Sequence, residues 1–360
     1  MTSRWSALLL LPFAILSLRG GFGQTGEQAF GKEAALLYPV QHAGKYGYVD
    51  RTGQLVTGYI YDLASPFYEG LAFVKVNGKC GFIDVAGSFV FGEERFCGPM
   101  HGDFHEGLAM VEYKGKTPYF KDRDYLKNRK RGYLDAEGKV AIEPTFFNAE
   151  DFSEGFAAVN LKENSQWGFI NKSGKFVISP RYDFANSFSE GLAAVESGGK
   201  VGFIDSKGDW VISPRFDPRS CGRFREGRAL VEVGDKVGYI DRSGQFVVAP
   251  QFAWGQGYSE GLAVVKDGER WKFVDRSGAG VSIGQGYESV NSFSEGMAAV
   301  ELGGKWGYIN AKGELAVAPQ FYLAFEFRNG VAIVKAKPEG EFSYIDKAGK
   351  VISRNAVAGY

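Results

Sequence analysis

The chain has 360 residues, and its 42 Lys plus Arg are balanced by 42 Asp plus Glu, so it offers no positive field with which to hold nucleic acid. Its 30 Phe and 18 Tyr argue against a disordered chain, and its 50 Gly follow no G-X-Y period, which excludes collagen. Three Cys and three His leave little material for a metal-rich protein.

Read in chain order, the N-terminus comes first. Arg4, an apolar run over 7–18, and the small residues Gly21 and Gly23 read as a secretory signal peptide over 1–23. Cleavage is expected between Gly23 and Gln24. The competing reading is a short membrane anchor, but the run is short for a bilayer span. No later apolar stretch is long enough to cross. The expected product is exported, periplasmic or extracellular. It has a linker over 24–34, a repeat domain over 35–352 and a tail over 353–360. Export permits disulfides, yet Cys80, Cys97 and Cys221 are an odd number; Cys80 with Cys97 is a candidate bridge.

A short pattern then recurs: Gly, an aromatic, a β-branched residue or Leu, and Asp or Asn. It starts at Gly47, Gly81, Gly132, Gly168, Gly202, Gly238 and Gly307, with Lys272 and Ser343 standing in the Gly place. The steps are 34–36 residues, apart from one of 51. A second pattern, Phe-x-Glu-Gly-Leu-Ala-x-Val with variants, runs in phase. It carries Glu69, Glu106, Glu154, Glu190, Glu226, Glu260 and Glu295, and Asn329 in its eighth copy. Together they mark about nine units.

This periodicity resembles the WG-repeat family. The Trp-Gly pair survives at Trp167-Gly168 and Trp306-Gly307; Trp271 is followed by Lys272. Elsewhere the Trp place holds Tyr46, Cys80, Arg131, Val201, Val237 or Phe342. The resemblance implies an all-β repeat array, often in exported or surface proteins. It implies no shared catalytic residues.

Within a unit such as 192–213, three short apolar runs are separated by Gly- and Asp-rich turns, which predicts a three-stranded antiparallel meander. Pro-x-aromatic, as in Pro180-Arg-Tyr182, ends the third strand and opens a connection of 10–12 residues. The motif Gly is expected to make room for an aromatic ring. A unit of ~35 residues cannot bury its own apolar face, so units must stack. Nine three-stranded units exceed the usual four to eight four-stranded propeller blades. The expected architecture is an open, curved β-solenoid-like array, with a closed β-propeller-like ring as the alternative.

Three groups of residues are candidates for function. The motif Asp column (Asp50, Asp84, Asp135, Asp205, Asp241, Asp275, Asp346) suits cation ligands or Asp-x-x-Gly turns. Asn171 and Asn310 in the same column favour turns. The Glu column could line a groove or supply a glycosidase pair, but a repeated residue is expected to do a repeated structural job. The long step comes from a hairpin insertion over 112–131. It is rich in Lys114, Lys116, Lys121, Arg123, Lys127, Arg129, Lys130 and Arg131, with Tyr113, Tyr119, Phe120 and Tyr125 interleaved. Such a basic-aromatic hairpin could grip an acidic partner. Cys97, His101, Asp103 and His105 lie just before it, with Cys80 one strand earlier, but their spacing matches no metal or nucleophile motif.

The expected function is a non-enzymatic exported scaffold that binds protein or peptide, without cofactor, metal or catalytic residues. The alternatives are a glycan-binding module using exposed aromatics such as Trp254, Trp271 and Trp306, and, more remotely, an enzyme built on the 80–131 zone. The sequence does not set the oligomeric state.

Overall fold

The computed structural model describes residues 36–92, 101–113, 130–218, 222–281 and 287–357. The signal peptide, most of the linker and of the basic hairpin, Cys97 and Cys221 lie outside the described residues. These belong to one compact unit that starts at Ala34. They form nine small antiparallel sheets in chain order, seven of four strands and two of three.

Blade 4 shows the plan. Its strands are Asn148–Ala149, Phe156–Asn160, Trp167–Asn171 and Phe176–Tyr182, paired in that order. The last three are the expected meander. The first is two residues drawn from the connection, where Ala149 pairs with Val159. The three-stranded unit is therefore corrected to a four-stranded blade. Blades 1 and 6 reach the same plan through single bridges, Val40 to Ala356 and Asp217 to Glu232.

Turn chemistry fixes each meander. Asp205 Oδ1 accepts the N–H groups of Lys207 and Asp209 at 2.9 and 3.0 Å, and Gly208 follows at φ +85°. This is a type I turn closed by a left-handed Gly. Asn171 and Asn310 make the same two bonds, so the column works through an oxygen rather than a charge.

The motif Gly answers to backbone, chiefly, rather than to a ring. In blade 4, Trp167 pairs with Tyr182 but Phe169 pairs with Ile178, so four residues bulge over two. A Cβ on Gly168 would lie 2.6 Å from Ile178 O and 2.7 Å from Pro180 N. Aromatic rings add to the crowding at Gly81 and Gly202. Blade 7, with Lys272 in the Gly place, has only Gly280–Val281 as its fourth described strand. In blade 9, Ser343 pairs directly with Arg354, so no bulge crosses it.

The core lies between blades. Each motif aromatic packs on the ring before Glu-Gly of the next blade. Examples are Tyr48 on Phe67, Tyr133 on Phe152, Phe203 on Phe224 and Tyr308 on Phe327, with centroids 4.8–5.0 Å apart. Edge-to-face pairs of this kind add ~0.5–1.5 kcal/mol each beyond the area they bury. The last blade packs on the first through a ring of strand Tyr38–His42 instead. Tyr344 meets Tyr38 at 5.3 Å, Tyr38 Oη donates to Asn329 O at 2.6 Å, and Tyr344 Oη donates to Pro39 O at 3.0 Å. Tyr38, Val40, Val49, Val331, Tyr344 and Ala356 form one buried cluster across the seam.

The ends therefore meet, and the expected open array is corrected to a closed ring of nine blades. Residues 355 and 356, within the expected tail, complete blade 1. Asn355 O accepts the Gln41 N–H at 2.8 Å, and Ala356 pairs with Val40 as Ala149 pairs with Val159.

Candidate functional site

The Glu column builds one rim of the ring. All seven Glu residues adopt φ between +48° and +55°. A left-handed Glu costs ~1–2 kcal/mol. Each offsets this by reaching the turn of the next blade. Glu69 accepts the N–H groups of Glu106 and Gly107, both at 2.8 Å. Glu154 accepts from Gly191, Glu190 from Gly227, Glu226 from Gly261 and Glu295 from Gly330, at 2.8–2.9 Å. Glu106 and Glu260 reach Gly155 and Gly296. Bonds from a carboxylate to backbone N–H are among the stronger hydrogen bonds. Asn329 precedes blade 1, which shows no such turn among the described residues. A side chain that tolerates the left-handed region suffices there.

One side chain spans the gap between neighbouring turns, so these turns sit close to the axis and the short first strands line the central channel. Four blades use the residue before the Glu in one way. Ser153, Ser189, Ser259 and Ser294 donate Oγ–H to the carbonyls of Phe188, Phe224, Phe293 and Phe327 in the following blade, at 2.7–2.8 Å. In the other four copies the place holds Tyr68, His105, Arg225 and Arg328.

Three of the substituted side chains, Tyr68, His105 and Arg328, gather with charged neighbours. His105 Nε2 lies 3.5 Å from Asp151 Oδ2, and the rings of Tyr68 and His105 are 6.1 Å apart. Tyr68 of blade 2 interacts with Asp103 and with Arg328 of blade 9. Asp151 of blade 4 feels Arg223 of blade 6. Blades 2 and 9 are separated by blade 1, and blades 4 and 6 by blade 5, so these interactions reach past an intervening blade. Burial and the Asp151 carboxylate push Asp103 up to about 6. Burial, with Asp151 beside it, also raises Glu150, and burial raises Asp151.

An unfolded Asp titrates near ~3.9. A folded-state value above that disfavours the fold where the group is ionised, and the penalty is relieved as pH falls from about 6 towards 4. Asp103→Asn is therefore expected to raise the melting temperature at pH 8 and to leave it nearly unchanged at pH 4. An equal shift at both pH values would contradict the assignment.

Other candidates fall elsewhere. In the basic hairpin, Lys114, Lys116, Tyr119, Lys121, Arg123, Lys127 and Arg129 lie outside the described residues. Lys130 Nζ donates to Thr145 O at 3.2 Å. Arg131 is buried, with Nε 3.6 Å from Glu112 Oε2, so it belongs to the core. Cys80 is disulfide-bonded, and its partner lies outside the described residues. Trp254 is 41% exposed and meets Trp271 edge-on at 5.2 Å; Trp306 packs against a core cluster. Among the described residues no three His, Cys, Asp or Glu side chains converge as a metal site would need. Sequence reasoning missed Tyr68, Asp151, Arg223 and Arg328. For Tyr68 and Arg328 the signal was the loss of Ser from a repeated column; Asp151 and Arg223, two residues before that column, carried none.

Nine closed blades around a polar channel define a β-propeller. The model of the WG containing repeat matches residues 46–80, 132–164, 167–200, 202–236, 238–271, 286–306 and 306–337, more than half of the chain. The chain belongs to the WG-repeat family. No curated protein matches it. Among solved structures, one described as the eukaryotic initiation factor is similar at 12% identity. The match has a TM-score of 0.62 and covers 90% of this chain and 96% of that one. BamB from Moraxella catarrhalis matches at 11% identity and a TM-score of 0.46, covering 80% of this chain and 94% of its own. Such identities speak to fold alone. No helix among the described residues is long and apolar enough to cross a membrane.

Proposed function

We propose that the protein is an exported, non-enzymatic scaffold that binds a protein or peptide at the channel mouth bearing the Glu turns. The observation that carries this reading is the broken serine column. Four blades give up a bond between blades, and three of the larger side chains, Tyr68, His105 and Arg328, gather with Asp103 and Asp151. The cluster holds Asp103, Glu150 and Asp151 together with Arg223, which acts on the last two, and Arg328, which acts on Tyr68, so a polypeptide segment carrying both charge signs is the complementary ligand. The leader read over 1–23 supports export.

The test is a chain returned to its own consensus: Tyr68→Ser, His105→Ser, Arg225→Ser and Arg328→Ser together. This variant is expected to fold with an unchanged or higher melting temperature. It should lose the partners that the wild-type chain captures by crosslinking in its native compartment. A second variant, deleting 114–129, is expected to keep them. If the consensus variant keeps its partners and the hairpin deletion loses them, the channel reading fails and the hairpin reading stands.

A further inference from the structure

Blade 4 departs from the repeat a second time, at the end opposite its Glu turn. Blade 5 joins its second and third strands through Gly198-Gly199, whereas blade 4 uses six residues, Leu161 to Gln166. Beside this longer hairpin lies an open pocket of 340 Å³. The amides of Asn148, Asn160, Asn164 and Gln166 line it, together with Asp183 and Trp167.

The lining is unusual for this ring. The place of Asn160 is charged in seven other blades, as Lys75, Glu112, Glu196, Glu232, Lys266, Glu301 and Lys335, and is Gln41 in blade 1. Asn160 is buried, and its Oδ1 accepts the Asn148 N–H at 2.9 Å, so the pocket floor is fixed. The Asp183 carboxylate accepts the Gly198 N–H at 2.8 Å, which ties the charge to the hairpin of blade 5. Gln166 Nε2 donates to Arg181 O at 3.2 Å. Asn164 stands at φ +54° on the hairpin, and its side-chain amide makes no hydrogen bond to the described residues. Trp167 lines the pocket, and Phe184, 43% exposed and outside the lining, meets it edge-on at 5.4 Å.

An amide carries a donor pair and an acceptor side by side, which matches adjacent hydroxyl groups. An aromatic flank suits the apolar face of a pyranose ring, as aromatic rings combine an apolar body with polar surroundings. The volume falls in the usual range for small-molecule sites, about 300–1,000 Å³. A strongly anionic ligand would meet Asp183 without a Lys or Arg among the lining residues. We propose that this pocket is a binding site for a neutral, hydroxyl-rich ligand, a glycan residue, separate from the channel mouth.

The test uses the full chain with maltotetraose, cellotetraose and tetra-N-acetylchitotetraose as probes, read by saturation-transfer NMR. Two substitutions spare the fold: Asn164→Gly keeps the left-handed backbone, and Gln166→Met keeps side-chain length. The expected result is saturable binding of at least one probe, weakened ~10-fold or more in the double variant with its melting temperature unchanged. The proposal is overturned if no probe binds at about 10 mM. It is also overturned if the double variant binds as tightly as the wild type, including the case in which Trp254→Ala abolishes binding instead.

Discussion

Deleting residues 355–360, which leaves the last strand of blade 9 whole, is expected to destabilise the whole ring by about 3–5 kcal/mol. The deletion removes two backbone bonds, from Gln41 N–H to Asn355 O and from Ala356 N–H to Phe342 O. It also removes Ala356 from the seam cluster and uncovers Val40 and Tyr38. Two hydrogen bonds contribute ~1 kcal/mol each, and the uncovered apolar area adds a similar sum at ~25 cal/mol per Å². The first blade is left with a bare edge strand, Tyr38–His42, so association of the deleted chain through this edge is also expected. The urea midpoint and the sedimentation profile check both parts. An unchanged midpoint would mean that blade 1 does not depend on the C-terminus.

The second large effect concerns the motif Gly. Gly168→Val is expected to cost about 3 kcal/mol or more, because the atoms it would strike are backbone. Ile178 O and Pro180 N belong to a bulged strand held at both ends by pairing with the strand that carries Gly168. Neither can swing aside as a side chain would, so the strain spreads into the blade. The control is Ser343→Val, at the same place in a blade without the bulge, for which less than ~1 kcal/mol is expected. Equal losses at the two positions would show that the Gly serves some need other than the crossing strand.

The period, the number of units, the all-β class and the meander of each unit were legible because turn chemistry is local. Asp205 needs only Lys207 to Asp209 to declare its turn. The fourth strand was not legible. A two-residue pair such as Asn148–Ala149 is too short to show alternation, and it sits in a connection. Closure was not legible for a related reason: it depends on Asn355-Ala356, which read as a tail. One clue to the role of Gly was present in the sequence. The units lacking it, at Lys272 and Ser343, also lack Pro-x-aromatic after the third run, although the units of Gly47 and Gly81 keep the Gly without it. The channel side chains were hidden because Tyr68 and Arg328 are far apart in sequence and meet only once the ring closes.

The closed ring is tested most directly by pairing its ends. Val40 and Ala356 form an antiparallel bridge, which sets their Cα atoms about 4.5–5.5 Å apart, within disulfide range. In the double variant Val40→Cys, Ala356→Cys, mild oxidation should give an intramolecular crosslink in the monomer, identified by the linked peptides. In an open stack of nine sheets spaced ~10 Å apart, the two positions would lie roughly 80 Å from each other. A monomer that forms no such crosslink, or that links only between molecules, would contradict the ring.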